Sequence, residues 1–128
     1  SLRVKMSKQF EQFELLYKQI FTTSNEVKKM IDAEDYESVL MLEKHKTQLV
    51  SKVLLVKKTV ELTEEENSVI EDLKTQILKQ EKENLDKMKI LRDKISVELQ
   101  KENSKEKIIN KYEQIEYEKG TICDYTSD

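Results

Sequence analysis

The chain has 128 residues with one Gly, no Pro, one Cys and one His, and its 23 basic and 26 acidic side chains give a net charge of −3. This length suits a single domain, and the scarcity of Gly and Pro allows few tight turns. Both charge signs alternate along the chain, which argues against nucleic acid as a partner. Because no stretch approaches the roughly 20 apolar residues of a membrane span, membrane insertion is not expected either.

Apolar residues spaced three and four apart predict two long helices in the first half of the chain. The first covers about residues 7–32, and the second covers about residues 36–59, with Asp35 as its N-cap. Ser24 interrupts the apolar stripe of the first helix and Lys46 that of the second. The stripes are formed by Phe10, Phe13, Tyr17, Ile20, Val27 and Ile31, and by Val39, Leu42, Leu49, Val53, Val56 and Val60.

A third helix is predicted from about residue 64 to residue 102. Thr63 and Glu66 have the spacing of a capping box, and the acidic first turn suits the positive end of the helix dipole. The apolar stripe becomes polar in the middle, at Gln80, Glu81 and Asn84. Such a polar patch costs stability but can fix the register of packed helices.

A break at residues 103–104 precedes a short fourth helix over about residues 105–118, and residues 119–128 are expected to form a flexible tail. Short connections make neighbouring helices antiparallel. The predicted fold is therefore all-α: one domain spanning residues 1–128, formed by an elongated antiparallel three-helix bundle with a short fourth C-terminal helix.

Few residues in the sequence could carry chemistry. His45 is the only histidine, Cys123 is the only cysteine, and one glycine cannot build a phosphate-binding loop. An ordinary packed or solvated role is expected for both residues. We therefore expect no catalytic residue, no metal, no cofactor and no enzymatic activity. A single cysteine also mildly favours the cytoplasm.

Several segments, in order, resemble the FliT family of flagellar export chaperones. The resemblance runs from about Phe10 to Tyr112. Its first clear motif is an acid–aromatic–acid triplet at residues 35–37, further motifs lie at the start of the third helix, and the last ends at Tyr112. The matching segments are residues 35–37, 42–44, 49–50, 62–66, Leu73, Ile77, 83–84 and 105–112.

This resemblance implies a cytoplasmic chaperone that binds the filament-cap protein FliD and delivers it to the flagellar export gate. The client helix would lie in a groove of the bundle. Leu40, Val50 and Leu54, off the main stripe of the second helix, are the candidate client contacts. Their alternative role is ordinary core packing against the first helix.

In the family a C-terminal helix folds back over the client-binding surface. The resemblance therefore implies an autoinhibitory helix whose apolar face would consist of Ile108, Ile109, Tyr112 and Ile115. Two other functions stay open: a structural coiled coil or helical adaptor, which predicts an oligomer such as a homodimer, and a related export chaperone for hook-junction proteins.

Overall fold

The computed structural model describes residues 7–99, 110 and 113–117, and within them every regular element is helical. Helix α1 spans Lys8–Asp32, α2 spans Tyr36–Lys57 and α3 spans Glu64–Glu98. Asn110 and residues 113–117 are also helical; residues 113–117 are called the C-terminal segment below. None of the helices in this part of the chain is long and apolar enough to cross a membrane.

Local side-chain chemistry determines where each helix begins. The Ser7 hydroxyl accepts a hydrogen bond from the Phe10 amide, and Asp35 accepts one from the Ser38 amide. The Thr63 side chain accepts from the Glu66 amide, while the Glu66 carboxylate accepts from the Thr63 amide. These caps satisfy amides that lack an intrahelical partner. Each of the three helices therefore begins directly after a capping side chain.

The α1–α2 turn is compact because α1 ends in a left-handed residue. Glu34 has φ of 57°, its amide donates to the Ile31 carbonyl, and the Asp35 amide donates to the Met30 carbonyl. This pair of bonds is the Schellman arrangement, in which glycine is the usual left-handed residue. The turn reverses the chain within three residues and places α2 antiparallel to α1.

Helix α1 is the central element of the bundle, since it packs along both α2 and α3. The backbones of α2 and α3, by contrast, have no Cα atoms within 8 Å of each other. Ion pairs join α3 to the end of α1: Lys87 Nζ lies 2.7 Å from Asp32 Oδ1, and Lys28 Nζ lies 3.0 Å from Glu83 Oε1. Helices α2 and α3 are thus each packed against α1, and a gap separates them from each other.

The apolar core of the described residues is divided into two clusters. The first cluster, near the α2–α3 turn, contains Phe10, Phe13, Tyr17, Ile20, Leu49, Val50, Val53, Ile70, Leu73 and Ile77. The second cluster, at the opposite end, contains Val27, Ile31, Val39, Met88, Leu91 and Ile115. Their separation reflects the polar positions that interrupt the apolar stripe of each helix.

The predicted fold class is confirmed: the chain is an all-α bundle with three long helices and a short fourth one. The helix ends differ slightly from the predicted bounds. Helix α2 ends at Lys57 rather than residue 59, where Thr59 and Val60 turn back to bond the Val56 carbonyl. Helix α3 ends at Glu98. Residues 100–109 and the predicted tail, 119–128, lie outside the described residues.

Candidate partner-binding groove

A fully buried ion cluster lies between the two apolar clusters. Lys46 Nζ on α2 lies 2.9 Å from Glu43 Oε1 on the same helix, and 2.6 Å and 2.9 Å from Glu81 Oε1 and Oε2 on α3. All three side chains have no exposed surface. Because burying charge is costly unless it is paired, this contact favours one alignment of α2 against α3.

A buried amide extends this polar layer to α1. Asn84 Nδ2 donates to the Ser24 carbonyl at 2.9 Å, and Asn84 Oδ1 accepts from Gln80 Nε2 at 2.9 Å. Asn84 and Ser24 are both fully buried. The polar layer, defined as Ser24, Glu43, Lys46, Glu81 and Asn84, therefore crosses the whole bundle and fixes the register of all three helices.

At the second cluster, the C-terminal segment completes the core as a fourth element. Ile115 is fully buried there, together with Val39 of α2 and Met88 of α3. Arg92 Nη1 on α3 also lies 2.7 Å from Glu116 Oε1 of the segment. We define the α2–α3 groove as the space between these two helices. At this end the C-terminal segment packs against its walls.

The same helix faces continue along the groove beyond the C-terminal segment. Leu40 of α2 and Leu85 of α3 pack against the second cluster. Leu54 follows Leu40 by two heptads and Leu78 precedes Leu85 by one, so each lies within about 40° of its counterpart on its helix. Leu54 is 44% exposed and Leu78 is 36% exposed. This half of the groove therefore presents apolar side chains from both walls.

The three predicted client contacts differ in how deeply they are buried. Val50 is 3% exposed and belongs to the first cluster, so it has the core role that was its alternative. Leu40 is half-buried against the second cluster, whereas Leu54 is exposed. Of the predicted autoinhibitory face, Ile115 is buried in the second cluster. Ile108, Ile109 and Tyr112 lie outside the described residues.

Surface depressions formed by the described residues differ in their linings. One, of about 380 Å³, lies between the end of α1 and α3 and is bordered by Lys87 and Lys94, which are ion-paired to α1 and its turn. A second, of about 450 Å³ between α1 and α2, is lined by polar residues that include His45 and Lys52 and by Leu15 and Leu49. Neither depression lies in the α2–α3 groove.

A third depression, of about 260 Å³, lies at the α2–α3 turn and is called the turn pocket. It is lined by Phe13, Tyr17, Lys57, Val60, Leu62, Asn67, Ile70 and Lys74. Lys57 is one helical turn beyond Leu54, and Lys74 is one turn before Leu78, so the pocket continues the exposed half of the groove.

Sequence reasoning did not single out Leu78 or Lys74 as members of a binding surface. Both lie beside the apolar stripe of α3, where helical periodicity alone gives them no partner. Their relevance depends on the gap between α2 and α3, which only the structure reveals.

In the described part of the chain, no group of three or more His, Cys, Asp or Glu residues is placed to hold a metal ion.

The described residues thus form an all-α bundle with a groove between α2 and α3 that is filled at one end by Ile115 and exposes Leu54 and Leu78 at the other. No protein family matches the chain, and neither a curated protein nor a solved structure is significantly similar to it.

Proposed function

We propose that this protein is an export chaperone of the FliT type, which holds an amphipathic helix of the filament-cap protein FliD in the α2–α3 groove. The observation that supports the proposal best is the exposure of Leu54 and Leu78 on the two walls of a groove whose other end is filled by Ile115. Single exposed apolar residues are common on protein surfaces, but two on facing walls form a continuous docking face.

The proposed recognition mode is that of a helix in a groove. The apolar residues of a client helix, spaced three and four apart, would pack against Leu54 and Leu78 as the fourth element of the bundle. A client helix would enter the half of the groove that the C-terminal segment leaves uncovered and extend along α2 and α3 into the half where Ile115 packs, so that the two compete for that end. Export-gate components and a cytoplasmic location belong to the same proposal, since both follow from the resemblance to the FliT family.

The test is isothermal titration of the full chain with a peptide from the C-terminus of FliD of the source organism. We expect saturable binding with a negative heat-capacity change, the signature of apolar burial. The double variant Leu54→Asp/Leu78→Asp should weaken binding by at least about 100-fold, because each carboxylate would be buried against the client.

Leu55→Asp/Met41→Asp is the matched control, because these two side chains are 67% and 71% exposed and lie on other faces of α2. It should bind like the wild type. Equal losses in both double variants would contradict recognition at the groove. Binding of a hook-junction peptide, but not of the FliD peptide, would keep the groove and change the client.

A further inference from the structure

The turn pocket has the dimensions and surroundings of an anchor site. Five apolar or aromatic side chains line it: Phe13, Tyr17, Val60, Leu62 and Ile70. Its volume of about 260 Å³ exceeds that of any single side chain. Buried pockets that accept one large side chain commonly supply most of the affinity of an interface.

Lys74 gives this pocket an unusual charge environment. The residue is only 8% exposed, and its ammonium is 3.4 Å from Glu71 Oε1. Charge-assisted hydrogen bonds are normally about 2.7–2.9 Å long, so this ion pair is loose. A lysine ammonium has three N–H donors. A nearly buried cation whose one ion pair within the described residues is long has capacity for a second carboxylate.

Among the described residues, the neighbouring carboxylates do not line the pocket. Glu66 is committed to the capping box, where it accepts from the Thr63 amide at 3.0 Å. Glu61, Glu64 and Glu65 are exposed on the turn and at the start of α3. The lining contains two lysines and no carboxylate. The pocket therefore combines an apolar floor with the Lys74 ammonium at its edge.

We propose that the turn pocket binds a large apolar side chain of the client helix and that Lys74 pairs with a client carboxylate next to it. This inference rests on the proposed function, because the pocket continues the groove beyond Leu54 and Leu78. It specifies the client chemistry further: an amphipathic helix with an acidic residue beside its anchoring Phe or Leu. The anchor fills the pocket, and the carboxylate supplies the second contact of the Lys74 ammonium.

Two alanine-based helical peptides test this assignment with the full-length, ¹⁵N-labelled protein. Both contain one Leu–Phe pair, flanked by glutamates in one peptide and by lysines in the other. We expect the acidic peptide to shift the amide signals of Leu62, Asn67 and Ile70 and to bind at least about tenfold more tightly than the basic one. This preference should decline as salt rises, since part of it is electrostatic.

Lys74→Met removes the charge but keeps an unbranched apolar stem, so the bundle should stay folded. This variant should lose the preference for the acidic peptide, whereas Lys52→Met, on an exposed part of α2 beside another depression, should keep it. Equal binding of the two peptides to the wild type would overturn the assignment. So would signal changes confined to residues 118–128 in free Lys74→Met, because they would show that the chain's own C-terminus fills the pocket.

The anchor site and the proposed function can be refuted independently of each other. If the FliD peptide binds the wild type and Lys74→Met with equal affinity, the groove function stands and the anchor site is refuted. If the acidic peptide binds at the turn pocket while the FliD peptide does not bind, the anchor site stands and the client is a different acidic helix.

Discussion

Lys46 Nζ on α2 lies 2.6 Å from Glu81 Oε1 on α3, and both side chains are completely buried. The contact spans two helices whose backbones stay more than 8 Å apart at every Cα pair in the described residues. The long side chains of Lys46 and Glu81 therefore bridge the gap between the two helices. The same bridge divides the apolar core into its two clusters.

Replacing Lys46 by Met should destabilise the fold by about 3–5 kcal/mol, because the carboxylates of Glu43 and Glu81 would lose their shared buried cation. Chemical denaturation followed by circular dichroism measures this change. The triple variant Glu43→Leu/Lys46→Met/Glu81→Leu should recover most or all of the loss, because it removes every charge of the cluster together.

An exposed interhelical pair provides the comparison. Lys87→Met breaks the ion pair with Asp32, whose side chain is 52% exposed, and should cost no more than about 1 kcal/mol. If Lys46→Met were as mild as Lys87→Met, the ion cluster would not be a buried structural feature. Should Lys46→Met not fold at all, the triple variant still measures the net contribution of the cluster.

Glu34→Gly should raise the stability of the protein by about 1 kcal/mol. Glu34 adopts φ of 57° at the C-terminal end of α1, a conformation that disfavours any residue with a Cβ atom. The substitution also removes the carboxylate that accepts a hydrogen bond from Lys94 and raises the pKa of that lysine. This ion pair lies in solvent and contributes little.

Glu34→Ala separates the two effects, since it removes the same carboxylate but keeps Cβ. The midpoint of thermal unfolding should be higher for Glu34→Gly than for the wild type, and for Glu34→Ala it should be equal to or lower than that of the wild type. Equal midpoints for the glycine and alanine variants would show that the left-handed conformation carries no strain.

The N-cap of α2 should make stability depend on pH in the acid range. Hydrogen bonds from the Ser38 hydroxyl, at 2.7 Å, and from the Ser38 amide, at 3.2 Å, lower the pKa of Asp35. A carboxyl group with a lowered pKa stabilises the fold above its unfolded-state pKa, and this contribution disappears as pH falls through its folded-state pKa.

Asp35→Asn keeps a capping oxygen but cannot ionise. The stability difference between the wild type and Asp35→Asn should therefore be constant near neutral pH and should shrink as the solution is acidified below about pH 4. Urea denaturation across this range measures it. A difference that does not change with pH would mean that the charge of Asp35 has no part in the cap.

Removing the residues after Asn103 should tighten binding of the FliD peptide, if the C-terminal segment and the client compete for the groove. Competition lowers apparent affinity by the fraction of molecules whose groove is filled. In the full chain, Ile115→Asp should have the same effect, because it introduces a charge into the second cluster. Gln114→Asp, at an exposed position of the same segment, is the control. Unchanged affinity in all variants would refute autoinhibition without affecting the chaperone role.

Much of the fold could be predicted from local signals. Asp35 and Thr63 mark helix starts through side-chain hydrogen bonds that span only three residues, and such contacts can be read directly from spacing. Helical periodicity likewise identified the apolar stripe of α1. It also identified Ser24, Lys46 and Glu81 as polar interruptions, one on each helix.

The binding surface could be predicted only in part. Val50 and Leu54 both lie at the edge of the α2 stripe, yet the first is buried and the second is exposed. Their spacing on one helix does not reveal how far away the next helix lies. Helical spacing therefore does not predict which residues are exposed at the groove. There the separation of α2 from α3 determines which residues at the edge of the stripe remain accessible.

The sequence alone determines the number of helices, their starts and the polar positions in their stripes, because these depend on contacts within one or two helical turns. Only the tertiary structure shows that Lys46 meets Glu81, that Asn84 meets Ser24, and that Leu54 and Leu78 line one groove. These relationships join residues that are 24–60 positions apart in the chain. Their geometry depends on how three helices pack together, which no local pattern encodes.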